Sequence, residues 1–226
     1  MHPIWNSMPN VAAVIGAMSD ELADLHVRCT RKPQQDGFLI VHAGVGKVNA
    51  ALAVAEARTW NPRCIISIGT AGALAPELDI GDVVVVRHAI QHDVDASPLG
   101  FPRGTIPLES VHSWDAHPAL VATAERTIRA LGFRVITGGV ASGERFVTHD
   151  AERTWIHTQF GSACIDMETG AIAHACAKLQ VPWIGIRIIS DRADHRAPAS
   201  FATALTSAAN AIARIVPPFI AALDHT

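Results

Sequence analysis

The chain has 226 residues, of which 49% are hydrophobic and 17% are charged, and its formal net charge at pH 7 is −3. A chain of this size and composition can bury a large core, which argues against disorder and suits one α/β domain. Lysine and arginine are scattered in runs of no more than two, so the sequence predicts no nucleic-acid partner.

Apolar, β-rich segments alternate with helical patterns along the chain. Ser200 is the expected N-cap of a long final helix, which Pro217 and Pro218 are expected to interrupt. In chain order, the elements expected before it are a strand at 11–16, a short helix at 18–25, a hairpin of strands at 27–32 and 38–43, a helix at 47–59, strands at 64–68 and 83–88, a helix at 118–131, strands at 134–141 and 163–165, a helix with an apolar face at 172–179 and a strand at 181–189.

The expected strands are continuous apolar runs, which indicates burial on both faces of a parallel sheet. The sequence therefore predicts an α/β fold with a central, mostly parallel sheet covered by helices on both sides. We expect a single domain over 11–226, preceded by a short, poorly ordered extension at 1–10. The segment 91–114 is rich in Pro, Gly, Asp, Ser and His, and loops of that length are usually functional or part of an interface.

Composition also bears on metals and location. The four cysteines form no CxxC pair and the twelve histidines form no HExxH motif, so we expect free thiols and no metal site. Every apolar stretch is interrupted well short of the roughly 20 residues that a membrane span needs. Residues 1–10 lack the basic and apolar regions of a secretory signal. We therefore expect a soluble, cytoplasmic protein with no membrane partner.

The apolar run at 181–189 ends abruptly in Ser190 and Asp191. A carboxylate at the end of a buried parallel strand lies at the edge where α/β sheets bind ligands. Burial raises the pKa of such a group, so Asp191 can hold and deliver a proton near neutral pH. A helix N-cap or a turn aspartate is the structural alternative, and spacing alone does not choose between them.

Two glycine-containing turns follow expected strands. Gly44-Val-Gly46 begins like the dinucleotide-binding GxGxxG motif, but Asn49 takes the place of its third small residue and no acidic residue follows about 20 positions on. We therefore expect no nicotinamide or other cofactor, and interpret the segment as a tight turn that lets backbone approach a ligand or a strand. The turn at 69–72 leaves room for a flat ligand or serves close packing.

Several short motifs occur together in a specific order. They are IGAMSDE at 15–21, GVGK at 44–47, SIGTAG at 67–72, the loop at 92–107, SGERF at 142–146, IDME at 165–168 and ISD at 189–191. In this order and spacing the chain resembles the nucleoside phosphorylase and nucleosidase superfamily, and within it the methylthioadenosine/S-adenosylhomocysteine nucleosidases. The resemblance implies a three-layer α/β/α sandwich around a mixed sheet that curls into a partial barrel, and a small-molecule nucleoside substrate.

The resemblance also implies catalytic roles. Asp191 matches the general acid that protonates N7 of adenine, and Ser190 would orient its carboxyl group. Glu21 matches the residue that holds and deprotonates the attacking water; without the resemblance, it is an acidic residue in the first turn of a helix. Glu168 matches the carboxylate that accepts hydrogen bonds from the ribose hydroxyls.

The same resemblance assigns the pocket walls. Phe146 would stack on adenine and the Val147 backbone would read its edge, whereas Met167 would pack on the sugar. Core packing is the alternative for Phe146 and Met167. Arg187 lies inside an apolar run and needs a partner, for which Glu168 or Glu21 is the candidate, directly or through water. The remaining wall residues implied are Met18, Val45, Thr70, Ala71, Gly72 and Phe201.

Leu99, Phe101 and Pro107 match a loop that family members contribute to the 5′-substituent pocket of the partner subunit. The loop has apolar groups among turn residues, as interface segments do. The resemblance therefore implies a homodimer in which this loop lies near the partner's site.

Hydrolysis is favoured over phosphorolysis, because phosphorylases of the superfamily bind phosphate with arginines. Here the first turn is acidic, at Met18-Ser-Asp-Glu21, and Ser67 stands at the second arginine position. Thr70 replaces a more usual serine, which leaves the 5′-group preference open. Methylthioadenosine, S-adenosylhomocysteine, 5′-deoxyadenosine and a futalosine-type nucleoside all remain candidates. A binding protein that kept the fold would be expected to lack one of the three acidic residues.

Overall fold

The computed structural model describes residues 11–28 and 38–223. Its strands and helices alternate along most of the chain. In chain order they are β1 (Ala12–Gly16), α1 (Ser19–Arg28), β2 (Phe38–His42), α2 (Lys47–Arg58), β3 (Cys64–Ala73), β4 (Val83–Gln91), a 3-10 turn (Ser97–Leu99), β5 (Ser113–Asp115), α3 (Pro118–Ala130), β6 (Val135–Ser142), α4 (Asp150–Phe160), β7 (Ser162–Asp166), α5 (Thr169–Leu179), β8 (Trp183–Asp191) and α6 (Ala197–Leu223).

The eight strands of the described residues form one mixed sheet in the order β2-β1-β3-β7-β6-β4-β5, and β8 pairs with both β3 and β4. The pairings β1–β2, β1–β3, β3–β8, β4–β6 and β6–β7 are parallel. The pairings β3–β7, β4–β5 and β4–β8 are antiparallel. Because β8 bridges β3 and β4, five strands close into a ring. The expected mixed, mostly parallel sheet is confirmed.

Helices cover both faces of this sheet. Ile15 of β1 packs in one buried cluster with Val54 of α2 and Ile172 of α5. Val14, the preceding residue, packs on the opposite face in a second cluster with Phe219 of α6. Full burial of side chains of this size contributes about 1.5–3 kcal/mol each. The two clusters confirm the predicted α/β/α layering and follow from the two-residue period of the strands.

The pairing of β3 with β8 has a register shift at the end of β8, where the strand reaches the edge of the sheet. Strands β3 and β8 pair in parallel register up to Ala71 with Ile189, after which the register shifts and Gly72 lies opposite Asp191. Such bulges redirect side chains at strand ends. An added Cβ at Gly72 would lie 2.9 Å from Asp191 Oδ1, so this position admits only glycine without displacement.

The last helix differs from expectation. It begins at Ala197 and runs to Leu223 through Pro217 and Pro218, so Ser200 is an internal residue and the prolines do not interrupt the helix. The turn before the helix is held by Asp194, whose Oδ1 accepts the Arg196 N–H at 2.8 Å. Burial of the apolar residues on both sides of the prolines outweighs the lost backbone hydrogen bonds.

Two other expectations need correction. The first is the hairpin: helix α1 continues to Arg28, so residues 27 and 28 are helical, and β2 pairs in parallel with β1. The rest of the expected strand at 27–32 lies outside the described residues, as does the extension at 1–10. Helix α4 was not expected, because its sequence is mostly polar and Ile156 is its one buried position.

Helix α6 is also long and apolar enough, by length and composition, to cross a membrane. In its most apolar window 56% of the residues are buried within the protein. It packs against α1, α3 and β8. The expectation that every apolar stretch is interrupted well short of a membrane span is therefore wrong for this helix, which packs as a core helix does.

Candidate active site

One pocket at the carboxyl ends of β1, β3, β7 and β8 collects the predicted acidic residues Glu21, Glu168 and Asp191. It encloses about 770 Å³ of empty space, part of it open to solvent. It is also lined by the other predicted residues Met18, Val45, Thr70, Ala71, Gly72, Phe146, Val147, Met167, Arg187, Ser190 and Phe201. Leu99, Phe101 and Pro107 are not among its lining residues.

Glu21 is 2% exposed and is held from two sides. Its Oε1 accepts hydrogen bonds from the Thr70 N–H and the Thr70 hydroxyl, both at 2.7 Å. Its Oε2 accepts the Met18 N–H at 3.2 Å, so this acidic residue in the first turn of α1 satisfies a free N–H at the helix start. Glu21 is therefore an acidic residue in the first turn of a helix, as the alternative interpretation predicted, and it also lines the pocket. Oε2 is the less engaged oxygen.

Asp191 ends β8 with only 2% of its surface exposed. Its Oδ1 accepts the Ala193 N–H at 2.8 Å, and the Ser190 hydroxyl lies 2.9 Å from its Oδ2. Burial raises the pKa of Asp191, against these two hydrogen bonds, which lower it. The bond to residue 193 is that of a turn aspartate, as the structural alternative predicted, and the same residue lines the pocket.

Glu168 is the N-cap residue of α5 and is 8% exposed. Its Oε1 accepts the Gly46 N–H at 2.9 Å, so the glycine turn before α2 approaches this carboxylate. Burial and the neighbouring Asp166 carboxylate raise the pKa of Glu168 to about 7, against Arg187, which lowers it. The carboxylate is therefore poised to change charge near neutral pH.

Arg187 is paired differently from expectation. Its Nε donates to Asp166 Oδ2 at 2.8 Å and its Nη2 donates to the Ser67 hydroxyl at 2.9 Å, with both members of the ion pair almost fully buried. Glu168 and Glu21 act on it only through their charge. Burial opposes the charged form of Arg187, but the three carboxylates, that of Asp166 foremost, outweigh it and raise the pKa.

Aromatic and thioether groups form the more open side of the pocket. Phe146 is 45% exposed, which excludes the core-packing alternative for this residue. It meets the ring of Phe201 edge-on, with centroids 5.8 Å apart. Met167 is half-buried in the pocket wall. An aromatic face of this kind suits a flat heterocycle.

The sequence reading missed two charged residues of the pocket, Asp166 and Arg145. Asp166 ends the buried strand β7, which is the same signal that indicated Asp191, and it could have been found that way. Arg145 carries no comparable signal; it lies at the exposed rim and pairs with Glu152 at 3.0 Å.

The described residues offer no evident metal cluster. Over residues 11–28 and 38–223, no three His, Cys, Asp or Glu side chains are grouped as a metal ion would require. The Gly44–Gly46 turn directs an N–H at a protein carboxylate, consistent with the tight-turn interpretation.

Comparison with known proteins identifies the class to which this fold and pocket belong. Residues 12–221 match the family model described as the Phosphorylase superfamily. A 5′-methylthioadenosine/S-adenosylhomocysteine nucleosidase from Staphylococcus haemolyticus is 33% identical, and the alignment covers 93% of this chain and 99% of that protein.

Solved structures agree with this match. The nucleosidase of the same name from Neisseria meningitidis, in complex with methylthio-immucillin-A, is 32% identical with a TM-score of 0.87, covering 93% of this chain and 98% of that chain. Futalosine hydrolase of Helicobacter pylori is 25% identical with a TM-score of 0.88, covering 96% and 98%. This chain belongs to the methylthioadenosine/S-adenosylhomocysteine nucleosidase family of the phosphorylase superfamily, which confirms the resemblance seen in the sequence motifs.

Proposed function

We propose that this protein hydrolyses the N-glycosidic bond of a 5′-substituted adenosine, 5′-methylthioadenosine or S-adenosylhomocysteine, to adenine and a 5-substituted ribose. The observation that carries the proposal is that Glu21, Glu168 and Asp191, far apart in the sequence, line one pocket. The names of relatives that match nearly the whole chain support the same reaction.

Asp191 is the proposed general acid. It gives a proton to N7 of the purine, the C1′–N9 bond breaks with its electron pair passing to the base, and adenine leaves neutral. The Ser190 hydroxyl lies within reach of both Asp191 Oδ2 and, at 3.3 Å, the Ala71 carbonyl oxygen. It can donate to that carbonyl while Oδ2 carries the proton, and to Oδ2 after the proton has left, so both charge states keep a partner.

Glu21 is the proposed base. Two hydrogen bonds from Thr70 hold Oε1 in place, which leaves Oε2 to accept a proton from water. The resulting hydroxyl adds to C1′ of the oxocarbenium-like ribose. Glu21 is one of the carboxylates whose charge acts on Arg187, so the two side chains lie near each other in the pocket.

Glu168 is the proposed ribose-binding group. Its Oε1 is already engaged by the Gly46 N–H, and the carboxylate can accept hydrogen bonds from ribose hydroxyls through its remaining capacity. Hydroxyl donors favour the ionised form of a carboxylate. Substrate binding should therefore strengthen as pH rises through the pKa of Glu168 in the free enzyme.

Water is the proposed nucleophile instead of phosphate. The pocket is lined by two arginines, and each is committed to a carboxylate: Arg187 to Asp166 and Arg145 to Glu152. The Glu21 carboxylate would also repel a phosphate dianion placed near it.

The experiment is a product analysis. The protein is incubated with methylthioadenosine, S-adenosylhomocysteine, 5′-deoxyadenosine and inosine, with and without phosphate, and the sugar product is identified. Free pentose that is independent of phosphate is expected; sugar phosphate would refute hydrolysis. Asp191→Asn should lower adenine release by at least about a hundredfold, and the matched variant Asp150→Asn on exposed α4 should not. Full activity of Asp191→Asn would refute the assigned acid.

A second candidate is hydrolysis of futalosine or another adenine nucleoside. The Helicobacter pylori futalosine hydrolase superimposes on this chain with a TM-score of 0.88, and the Neisseria meningitidis nucleosidase with a TM-score of 0.87. The same chemistry at C1′ serves both, so only the 5′-group distinguishes them. Adding futalosine to the substrate panel decides between the two by comparing kcat/KM.

We also propose a homodimer. Leu99 is 74% exposed and lies outside its own chain's pocket, and α2 exposes Val48 (72%) and Leu52 (63%). Apolar groups in this number favour contact with a second copy, with the 99–107 loop reaching the partner's 5′-substituent site. Light scattering should give twice the chain mass. Leu99→Ala should raise KM for methylthioadenosine without changing the melting temperature.

The location and the pathway are proposals of the same kind. Cys64, Cys164 and Cys176 are buried free thiols, as is usual in a reducing compartment, which supports a cytoplasmic protein. Release of adenine and a thio-sugar is consistent with a role in methionine salvage. Fractionation of the cells that make the protein tests the location.

A further inference from the structure

Three segments far apart in the chain meet beside the pocket through one ring of hydrogen bonds. The Lys47 ammonium donates to Asp93 Oδ1 at 2.7 Å. The Glu144 N–H donates to Asp93 Oδ2 at 3.0 Å, and the Lys47 N–H donates to Glu144 Oε1 at 2.7 Å. We call Lys47, Asp93 and Glu144 the charged ring. None of the three lines the pocket.

The charged ring adjoins two parts of the pocket wall. Lys47 directly follows Gly46, whose N–H contacts Glu168. Glu144 closely precedes Phe146, which forms the aromatic side of the pocket. A change in the ring can therefore reach the ribose end through Gly46 or the base end through Phe146.

The contact at Gly46 is the more constrained of the two. Gly46 has φ = +96°, and an added Cβ would lie 2.7 Å from Glu144 Oε2, so the glutamate packs directly against this turn. The Lys47 side chain is only 19% exposed and that of Asp93 23%, so solvent screens their attraction less than at a surface pair. The hydrogen bonds from Lys47 and Glu144 outweigh burial and hold the pKa of Asp93 below its usual range.

We propose that the charged ring is a positioning device for Glu168: it fixes the Gly46 N–H against the Glu168 carboxylate and thereby sets the affinity for the ribose of the substrate. This inference rests on the proposed function, in which Glu168 binds ribose. It makes Lys47, Asp93 and Glu144 positioning residues that act without touching the substrate.

The first test compares two ligands. The affinities of the wild type and Lys47→Met are measured by calorimetry for adenine and for a C-nucleoside analogue of adenosine, whose C–C bond cannot be hydrolysed. Lys47→Met should weaken the nucleoside about tenfold, the size of a lost charge-assisted hydrogen bond, and leave adenine within about twofold. Equal weakening of both ligands, or of neither, overturns the proposal.

Matched variants separate charge from packing. Lys47→Arg keeps a cationic donor and should recover most of the nucleoside affinity. Arg129→Met removes a cation from the exposed pair with Glu125 on α3 and should leave both affinities unchanged. If Lys47→Arg binds the nucleoside no more tightly than Lys47→Met does, the charged hydrogen bond has no role.

A double-mutant cycle tests the route through Glu168. If the charged ring acts through that carboxylate, Lys47→Met should not weaken the nucleoside further in a Glu168→Ala background. Additive losses would mean that the ring acts elsewhere, and would overturn the proposal.

Turnover in the same samples separates this proposal from the proposed function. If the wild type hydrolyses methylthioadenosine and Lys47→Met has the same two affinities as the wild type, only the proposed role of the charged ring is overturned. A wild type that hydrolyses no nucleoside overturns the proposed function, and the affinities then still decide the ring. A wild type that binds neither ligand overturns both.

Discussion

The clearest quantitative consequence of the structure concerns Glu168→Gln and the stability of the ligand-free protein. Glu168 is 8% exposed, and burial together with Asp166 raises the pKa of its carboxyl from 4.5 to about 7. The substitution removes the ionisable group and keeps the shape of the side chain. Although Glu168 serves ligand binding, its charged form should therefore lower the free energy of unfolding.

The sign follows from proton linkage. Between pH 4.5 and about 7 the folded protein retains the Glu168 proton that the unfolded chain has released, so the free energy of unfolding of the wild type falls as pH rises through this window. Above the window the loss is complete and constant. At about 1.4 kcal/mol for each pH unit, it amounts to about 3 kcal/mol. Glu168→Gln escapes this loss.

Urea denaturation at pH 5 and pH 8, at one protein concentration and without ligand, measures the effect. The stability of Glu168→Gln relative to the wild type should rise by about 2 to 3 kcal/mol from the lower to the higher pH. The control is Glu125→Gln, which removes an exposed carboxylate from α3 and should show no such rise. A stability difference that is the same at both pH values would refute the reasoning.

Three further substitutions test the packing around the pocket. Thr70→Val removes the hydroxyl that donates to Glu21 but keeps the shape and the N–H, so kcat should fall about tenfold with an unchanged melting temperature; normal kcat would contradict the hydrogen bond. Asp166→Asn leaves buried Arg187 without its ion-pair partner and should lower the free energy of unfolding in urea by about 3 kcal/mol; a change below about 1 kcal/mol would show that other groups compensate. Gly72→Ala places a methyl group 2.9 Å from a carboxylate oxygen of the proposed acid, so adenine release should fall at least about tenfold, and unaltered release would mean that the backbone yields there.

The fold could be predicted largely because its strands are buried on both faces. The apolar runs that became β1, β4 and β8 leave little choice of secondary structure, and their alternation with helices implies layers. The errors fall where local signals were weak or were overridden. Helix α4 has one buried residue and hence no apolar period, whereas α6 continues through two prolines because its flanking residues are buried.

The site divides in the same way. The strand-end position indicated Asp191 directly, and the motifs together indicated Glu21 and Glu168. The predicted partner of Arg187, Glu168 or Glu21, was wrong. Glu21, Asp166 and Glu168 all lie close enough to act on its charge, and only the packed geometry selects Asp166. Periodicity carries no information about which of several neighbouring carboxylates meets a given guanidinium.

The sequence alone determined the layered α/β fold, the family and the three acidic residues, because these depend on short segments whose polarity pattern and order are visible in one dimension. Tertiary structure decided how those residues are held: the register shift that aims Asp191, the ion pair that occupies Arg187 and the ring that joins Lys47, Asp93 and Glu144. These contacts link groups that are distant along the chain, and distances of that kind exist only once the sheet has closed and the helices have packed against it.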